Sequence, residues 1–203
     1  IPAVALRAYK QAAARLGSRD ASCQLPWTLL AAIGRVESNH GRFGGAQLRA
    51  AGSGTRPIRG IPLDGRPHVA LIRDTENGAL DGDTTYDRAV GPMQFIPSTW
   101  RSVMVDGNAD GRRDPNNMFD AAEGAGVYLC AGTGSLRDPD NAAGAVRRYN
   151  NADRYVRVVL SLARQYEAGR VVVVPTDPNL PTSQPTPTNR PAPTSQPARS
   201  AGA

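Results

Sequence analysis

Behind Pro26, the residues Leu29, Leu30, Ile33 and Val36 recur at spacings of three and four, and the same stripe, continued, falls on Glu37. This spacing predicts a helix with one apolar face in a core and Pro26 at its first helical position. Gly41, Gly44 and Gly45 follow, so the helix must end soon, and Glu37 falls in its last turn or two. Removal from water and the negative end of the helix dipole both raise a carboxyl pKa above its usual value of about 4.3. A buried Glu37 is thus poised as a proton donor. A rim Glu37 with its side chain in water is the other reading that periodicity leaves open.

The rest of the chain reads as a mainly α domain over residues 1–170, followed by a tail. Residues 171–203 are rich in Pro, Thr, Ser and Gln with few large apolar groups, which predicts a disordered, partly polyproline II segment. Residues 3–16 predict an Ala-rich packing helix stopping at Gly17. Another helix starts at Pro97, and another runs over 119–131 with Asp120 at its N-cap. Helices are also expected over 142–149 and 155–166, the last with Val156, Val159, Leu160 and Ala163 inward. Residues 43–88 are irregular and rich in Gly, Pro and Asp, with Val69 to Ile72 either a short strand or an anchored loop. So long an insertion reads as one wall of a cleft.

Formal net charge is +6, Lys10 is the only lysine, and the arginines are dispersed. A basic chain favours polyanions, but without a basic block or aromatic clustering no nucleic-acid partner is expected. No run is long and apolar enough to span a bilayer. Cys23 and Cys130 match no metal pattern. Paired, they imply an oxidising, extracytoplasmic setting; unpaired, they are two buried thiols.

Gln94 lies between Met93 and Phe95, both expected to face inward, and needs a partner, either backbone or a bound sugar. Asp106, Asn108, Asp110, Arg112 (through its carbonyl) and Asp114 follow a Ca²⁺-loop pattern around Gly111, but Asn117 stands where a bidentate Glu closes such loops. The pattern admits a structural Ca²⁺ ion or an Asx-rich turn with capping duties. Trp27 and Trp100 read as core, His40 as a helix-end hydrogen bonder, and His68 has no evident partner.

Glu37-Ser38 at a helix end, then Gly91-Pro92-Met93-Gln94, then Arg148-Tyr149-Asn150-Asn151, in that order, resemble the lytic murein transglycosylases. The longer strings 36–42 and 89–100, with the Asp-rich loop after them, look like the membrane-bound lytic transglycosylase B family in its actinobacterial form. The resemblance covers about residues 1–168. It implies a lysozyme-like α domain whose cleft binds peptidoglycan glycan strands and forms 1,6-anhydro-MurNAc ends. Glu37 would be the single catalytic acid and then base, and Ser38 would orient it or the substrate acetamido group. Gln94 would contact the sugar, and Tyr149 and Asn150 would line the cleft beside Glu37. The family's Asp-rich loop holds Ca²⁺ in some members. No lipidation Cys stands at this N-terminus, so no lipid anchor is expected.

The expectation is therefore a monomeric, secreted or wall-associated enzyme acting on the MurNAc–GlcNAc bond, with no cofactor required for the chemistry. Two alternatives remain at this stage. One is lysozyme-like hydrolysis with a second acid from the Asp81 to Asp87 stretch. The other is a non-catalytic wall-binding module.

Overall fold

The computed structural model describes residues 1–132 and 134–170; the predicted tail, 171–203, lies outside the described residues. Helix α1 (Ala3–Arg19) buries Ala5, Ala8, Tyr9, Ala12 and Leu16. Helix α2 (Trp27–Ser38) follows, then strands β1 (Arg59–Pro62) and β2 (Arg88–Val90) and helices α3 (Pro97–Val103), α4 (Met118–Cys130), α5 (Pro139–Tyr149) and α6 (Asp153–Glu167). α1 packs along α4, whose buried face carries Ala121, Ala122, Gly124 and Ala125, and small side chains on both helices let the backbones approach closely. α2 lies between α1 and α6, and α5 against α4 and α6. The mainly helical class expected from the sequence is the class observed.

α1 does not stop at Gly17. Glycine in a helix costs about 1 kcal/mol relative to alanine, but the extra turn brings Arg19, like Arg15, to 2.8 Å from the buried Glu123 carboxylate of α4. A buried carboxylate needs such partners, and removing one is expensive.

α2 is buried around more of its circumference than the stripe implied: every residue from Thr28 to Gly34 is inside. Pro26 is the N-cap, with extended backbone, and Trp27 takes the first helical position. Trp27 is only partly buried, with Lys10 over its ring, whereas Trp100 is core at 2 % exposure. Termination comes before the glycines. Asn39 and His40 adopt left-handed backbone (φ 52° and 60°), and their N–H groups bond the carbonyls of Arg35 and Gly34. Gly34 itself is required by packing, since a Cβ there would stand 2.0 Å from the Tyr9 hydroxyl.

The insertion is ordered by its own carboxylates. Asp74 accepts from the N–H of Glu76 and Gly78, Glu76 from Leu80 and Asp81, and Asp83 from Thr85 and Tyr86. Each bond satisfies a backbone donor that no regular element serves. Its ends meet in an antiparallel pair, Arg59 opposite Val90 and Pro62 opposite Arg88, that periodicity did not signal. Val69 to Ile72 form the anchored loop rather than a strand, touching Asp64 through a single bridge at Leu71.

Two helix details depart from expectation. α4 is capped by Asn117, whose Oδ1 accepts from the Phe119 N–H, and not by Asp120. On α6 the inward stripe runs through Tyr155, Val156, Val159, Leu162, Ala163 and Tyr166, leaving Leu160 half-buried. Cys23 and Cys130 form a disulfide with their Cα atoms 5.5 Å apart, tying the α1–α2 connection to the end of α4. Closing a loop of 107 residues stabilises by up to roughly 4 to 5 kcal/mol in the chain-entropy account.

Candidate active site

Glu37 is one residue from the end of α2 and 4 % exposed. Its Oε1 accepts a hydrogen bond of 2.5 Å from the hydroxyl of Tyr155, on the first turn of α6 and itself 1 % exposed. Burial pushes the Glu37 carboxyl up to about 8, and the Tyr155 bond acts against that rise. A group with that pKa is about nine-tenths protonated at pH 7. Burial raises both Tyr155 and Tyr149 well above the phenol range, with the nearby Glu37 charge adding to each, so both hydroxyls are neutral donors.

Three of the sequence-predicted residues converge on one turn beside Glu37. The Ser38 hydroxyl donates to the Pro92 carbonyl at 2.6 Å and accepts from the Gly41 N–H at 2.7 Å. The Tyr149 hydroxyl donates to the Met93 carbonyl at 2.7 Å. Gln94 has left-handed backbone (φ 50°), and its Nε2 donates to the Gly91 carbonyl at 2.9 Å. Ser38 and the fully buried Tyr149 thus grip the Gly91 to Gln94 turn from below, and their hydroxyls are committed to backbone. β1 crosses over the turn: a Cβ on Gly60 would lie 3.3 Å from the Gln94 Oε1. Asn150, also fully buried, accepts the Ala152 N–H at Oδ1, but among the described residues its Nδ2 has no hydrogen-bond partner. A buried amide donor without an acceptor is costly.

His40 closes the far side of the α2 terminus. Its two ring nitrogens face the hydroxyls of Tyr9 (3.1 Å) and Tyr166 (3.3 Å), and burial, with the positive charges of Arg35 and Arg42 nearby, lowers its pKa to about 3. It is a neutral structural link among α1, α2 and α6. His68 is exposed in the insertion.

The acids of the alternative hydrolytic reading are used elsewhere. Asp87 is fully buried and holds the Thr75 N–H and hydroxyl, both at 2.8 Å. Asp81 accepts from the N–H of Asp83 and Arg88. Burial and the Tyr155 bond account for the Glu37 shift, and no carboxylate contributes to it.

The Asp-rich loop packs against α1, where Gln11 donates to the Gly107 carbonyl at 2.6 Å. Asp106 accepts from the N–H of Asp110 and Gly111, Asn108 from Asp110, Asp110 from Arg112 and Asp114 from Asn116. Asn108 also donates from its Nδ2 to the Asp110 carboxylate at 2.8 Å. At the closing position, Asn117 caps α4 and donates to the Ala51 carbonyl. The buried Asp120 gathers the N–H groups of Gly107, Asn108 and Asp114, doing for the loop what a cation would. Among the described residues no three His, Cys, Asp or Glu side chains come together as metal ligands. Ca²⁺ needs six or more converging oxygens, and a site here would have to draw on these hydrogen-bonded groups. Melts in millimolar Ca²⁺ and in chelator are accordingly expected to agree within about 1 °C; a rise of several degrees with Ca²⁺ would show that the loop oxygens bind it.

Tyr155 is the site residue that sequence reasoning missed. Its signal was present only as a polar tip on the inward stripe of α6.

Comparison with known families gives one match: residues 69–134, about a third of the chain, fit the family model described as the transglycosylase SLT domain. The matched stretch holds the second half of the insertion, the Gly91 to Gln94 turn, the Asp-rich loop and α4; Glu37, Tyr149, Asn150 and Tyr155 lie outside it. The match supports a peptidoglycan-directed activity of the lytic transglycosylase type and, with it, a cell-wall setting. Comparison with curated proteins and with solved structures finds no match.

Proposed function

We propose that this chain is a lytic transglycosylase of peptidoglycan that cleaves the β-1,4 bond from MurNAc to GlcNAc with Glu37 as its only acid and base. The observation that carries the reading is a Glu37 buried at the end of α2 and bonded to the Tyr155 hydroxyl, with burial raising its carboxyl to about 8, while Asp81 and Asp87 are engaged within the insertion. Hydrolysis by paired carboxylates needs a partner across the bond, whereas an intramolecular nucleophile in the substrate removes that need.

The proton of Glu37 passes to the glycosidic oxygen as the bond from MurNAc C1 breaks, and GlcNAc leaves with a free 4-hydroxyl. The positive charge on C1 is met by the carbonyl oxygen of the sugar's own 2-acetamido group. The MurNAc 6-hydroxyl then attacks C1, its proton returns to the Glu37 carboxylate, and the ring closes as the 1,6-anhydro sugar. Acid and base are restored and no water is added. The Asn150 Nδ2 and the Gln94 amide are the polar groups assigned to the sugars, while Ser38 and Tyr149 hold the turn that carries Gln94. No step runs through a metal.

The enzyme is proposed to act as a monomer outside the cytoplasm, a setting in which the Cys23–Cys130 disulfide persists. Among the described residues no helix is long and apolar enough to cross a membrane. Digestion of purified peptidoglycan in ¹⁸O-water, with mass spectrometry of the released muropeptides, tests the reaction. Unlabelled 1,6-anhydro ends are expected; labelled reducing ends would establish hydrolysis and overturn the reading.

A further inference from the structure

Glu37 has to do two opposite things in the proposed reaction: lose a proton in a buried place, then take one back. Burial alone favours only the second, because it destabilises the carboxylate that the first must form. The hydrogen bond from Tyr155 is the feature of the site that eases the first.

We infer that Tyr155 is the positioning residue that orients the Glu37 carboxyl and holds the carboxylate left behind when its proton is given. This rests on the transglycosylase reading above. The geometry is specific. The Tyr155 hydroxyl lies 2.5 Å from Oε1 of Glu37, and both side chains are buried where α2 packs on α6. Toward the ionised carboxylate a phenol that stays protonated can only donate, so the direction of the bond to Oε1 is fixed once the proton has gone. Once Glu37 has given up its proton, the same donor faces a charged acceptor, and a hydrogen bond to a charged partner is about twice as strong as one between neutral groups. The bond therefore strengthens as charge develops, which is what a catalytic contact must do.

The other groups around Glu37 do not compete for this role. From α5, Tyr149 feels its charge, but the Tyr149 hydroxyl is held by the Met93 carbonyl. His40 is neutral and bound between Tyr9 of α1 and Tyr166 of α6. Arg35 bonds Asn39, and Arg42 bonds both the amide and the carbonyl of Asn39. Within the Gly91 to Gln94 turn, the side chain of Gln94 bonds the turn's own backbone.

The test is the pH profile of glycan release by Tyr155→Phe, which keeps the ring and removes one O–H. kcat is expected to fall roughly 10- to 100-fold with KM within about twofold. The alkaline limb, where Glu37 loses its proton, is expected to move to higher pH, because a bond that favours the carboxylate has gone. A second variant, with 3-fluorotyrosine at position 155, carries a stronger donor and is expected to move the limb to lower pH; it keeps the test decisive if Tyr155→Phe does not fold. Limbs unmoved in either protein, or a loss confined to KM, would overturn the inference. The product analysis in ¹⁸O-water is independent of this result: labelled reducing ends would remove the transglycosylase reading, while a displaced limb would still tie Tyr155 to the acid.

Discussion

Glu37→Gln is expected to abolish glycan cleavage, by at least about 10³-fold, and yet to melt several degrees above the wild-type protein at pH 7 to 8. The sign follows from the folded-state pKa of about 8 against the ordinary 4.5. A raised carboxyl pKa gives stability that is fully present below pH 4.5 and lost as pH rises through 8. By pH 7 the wild type has forfeited about 3 kcal/mol, at 1.36 kcal/mol per pH unit between the two pKa values. Glutamine has no proton to lose and keeps an Oε1 acceptor for Tyr155, so it recovers that amount. For a domain of this size that is roughly 5 to 10 °C.

The two proteins are expected to converge near pH 4.5, and there His40 sets the behaviour of both. Its pKa is lowered to about 3, so the stability it contributes is present above its ordinary 6.5 and lost as pH falls toward 3. The wild type is thus weakened from both sides, and Glu37→Gln from the acid side alone. Thermal denaturation from pH 4 to 9 checks this. Equal midpoints at pH 8 would mean that Glu37 titrates in water and is no buried acid.

Such a trade of stability for function also explains why part of the site could be read from the sequence and part could not. Glu37 was legible because a charged residue broke a pattern: an apolar stripe at helical spacing ran onto a carboxylate just before a run of glycines. Tyr155 broke no pattern. A tyrosine on the inward stripe of a helix reads as core, and its hydroxyl finds Glu37 across 118 residues of chain, a pairing with no local trace. Ser38, Gln94 and Tyr149 were legible as a set but not in their geometry, since a hydroxyl that could meet a substrate could equally well bond the backbone. Here those of Ser38 and Tyr149 do the latter, to adjacent carbonyls of one turn. β1 and β2 escaped because they are four and three residues long and their pairing spans an irregular insertion. The Asp-rich loop reads two ways for a chemical reason: acids and amides at alternate positions serve a cation or their own backbone N–H groups equally well, and here Asn117 caps α4 while Asp120 gathers N–H groups of the loop.

Gly91→Ala is the substitution expected to do most damage to the fold, although it adds a single methyl group. Gly91 has φ 78°, left-handed backbone in which alanine is strained by about 1 to 2 kcal/mol. The larger effect is contact: the added Cβ would stand 1.8 Å from the Pro115 carbonyl oxygen and 2.7 Å from its carbon. Both are backbone atoms, so no rotamer change relieves the clash, and two segments must separate. Pro115 is buried just ahead of the α4 cap, and Gly91 is fixed from its other side by its N–H bond to the Ile58 carbonyl. Together these put the loss at roughly 3 to 5 kcal/mol. The displacement also reaches the acid, because Pro92 and Met93 carry the carbonyls that Ser38 and Tyr149 hold. Gly44→Ala separates the two causes: Gly44 has φ 62° but nothing within 4 Å of a built Cβ, so it carries the backbone strain without the clash. Chemical denaturation of the two variants should then differ by at least about 2 kcal/mol. Near-equal losses would mean that Pro115 can retreat without cost, and that the turn beside Glu37 is held from the Ser38 and Tyr149 side alone.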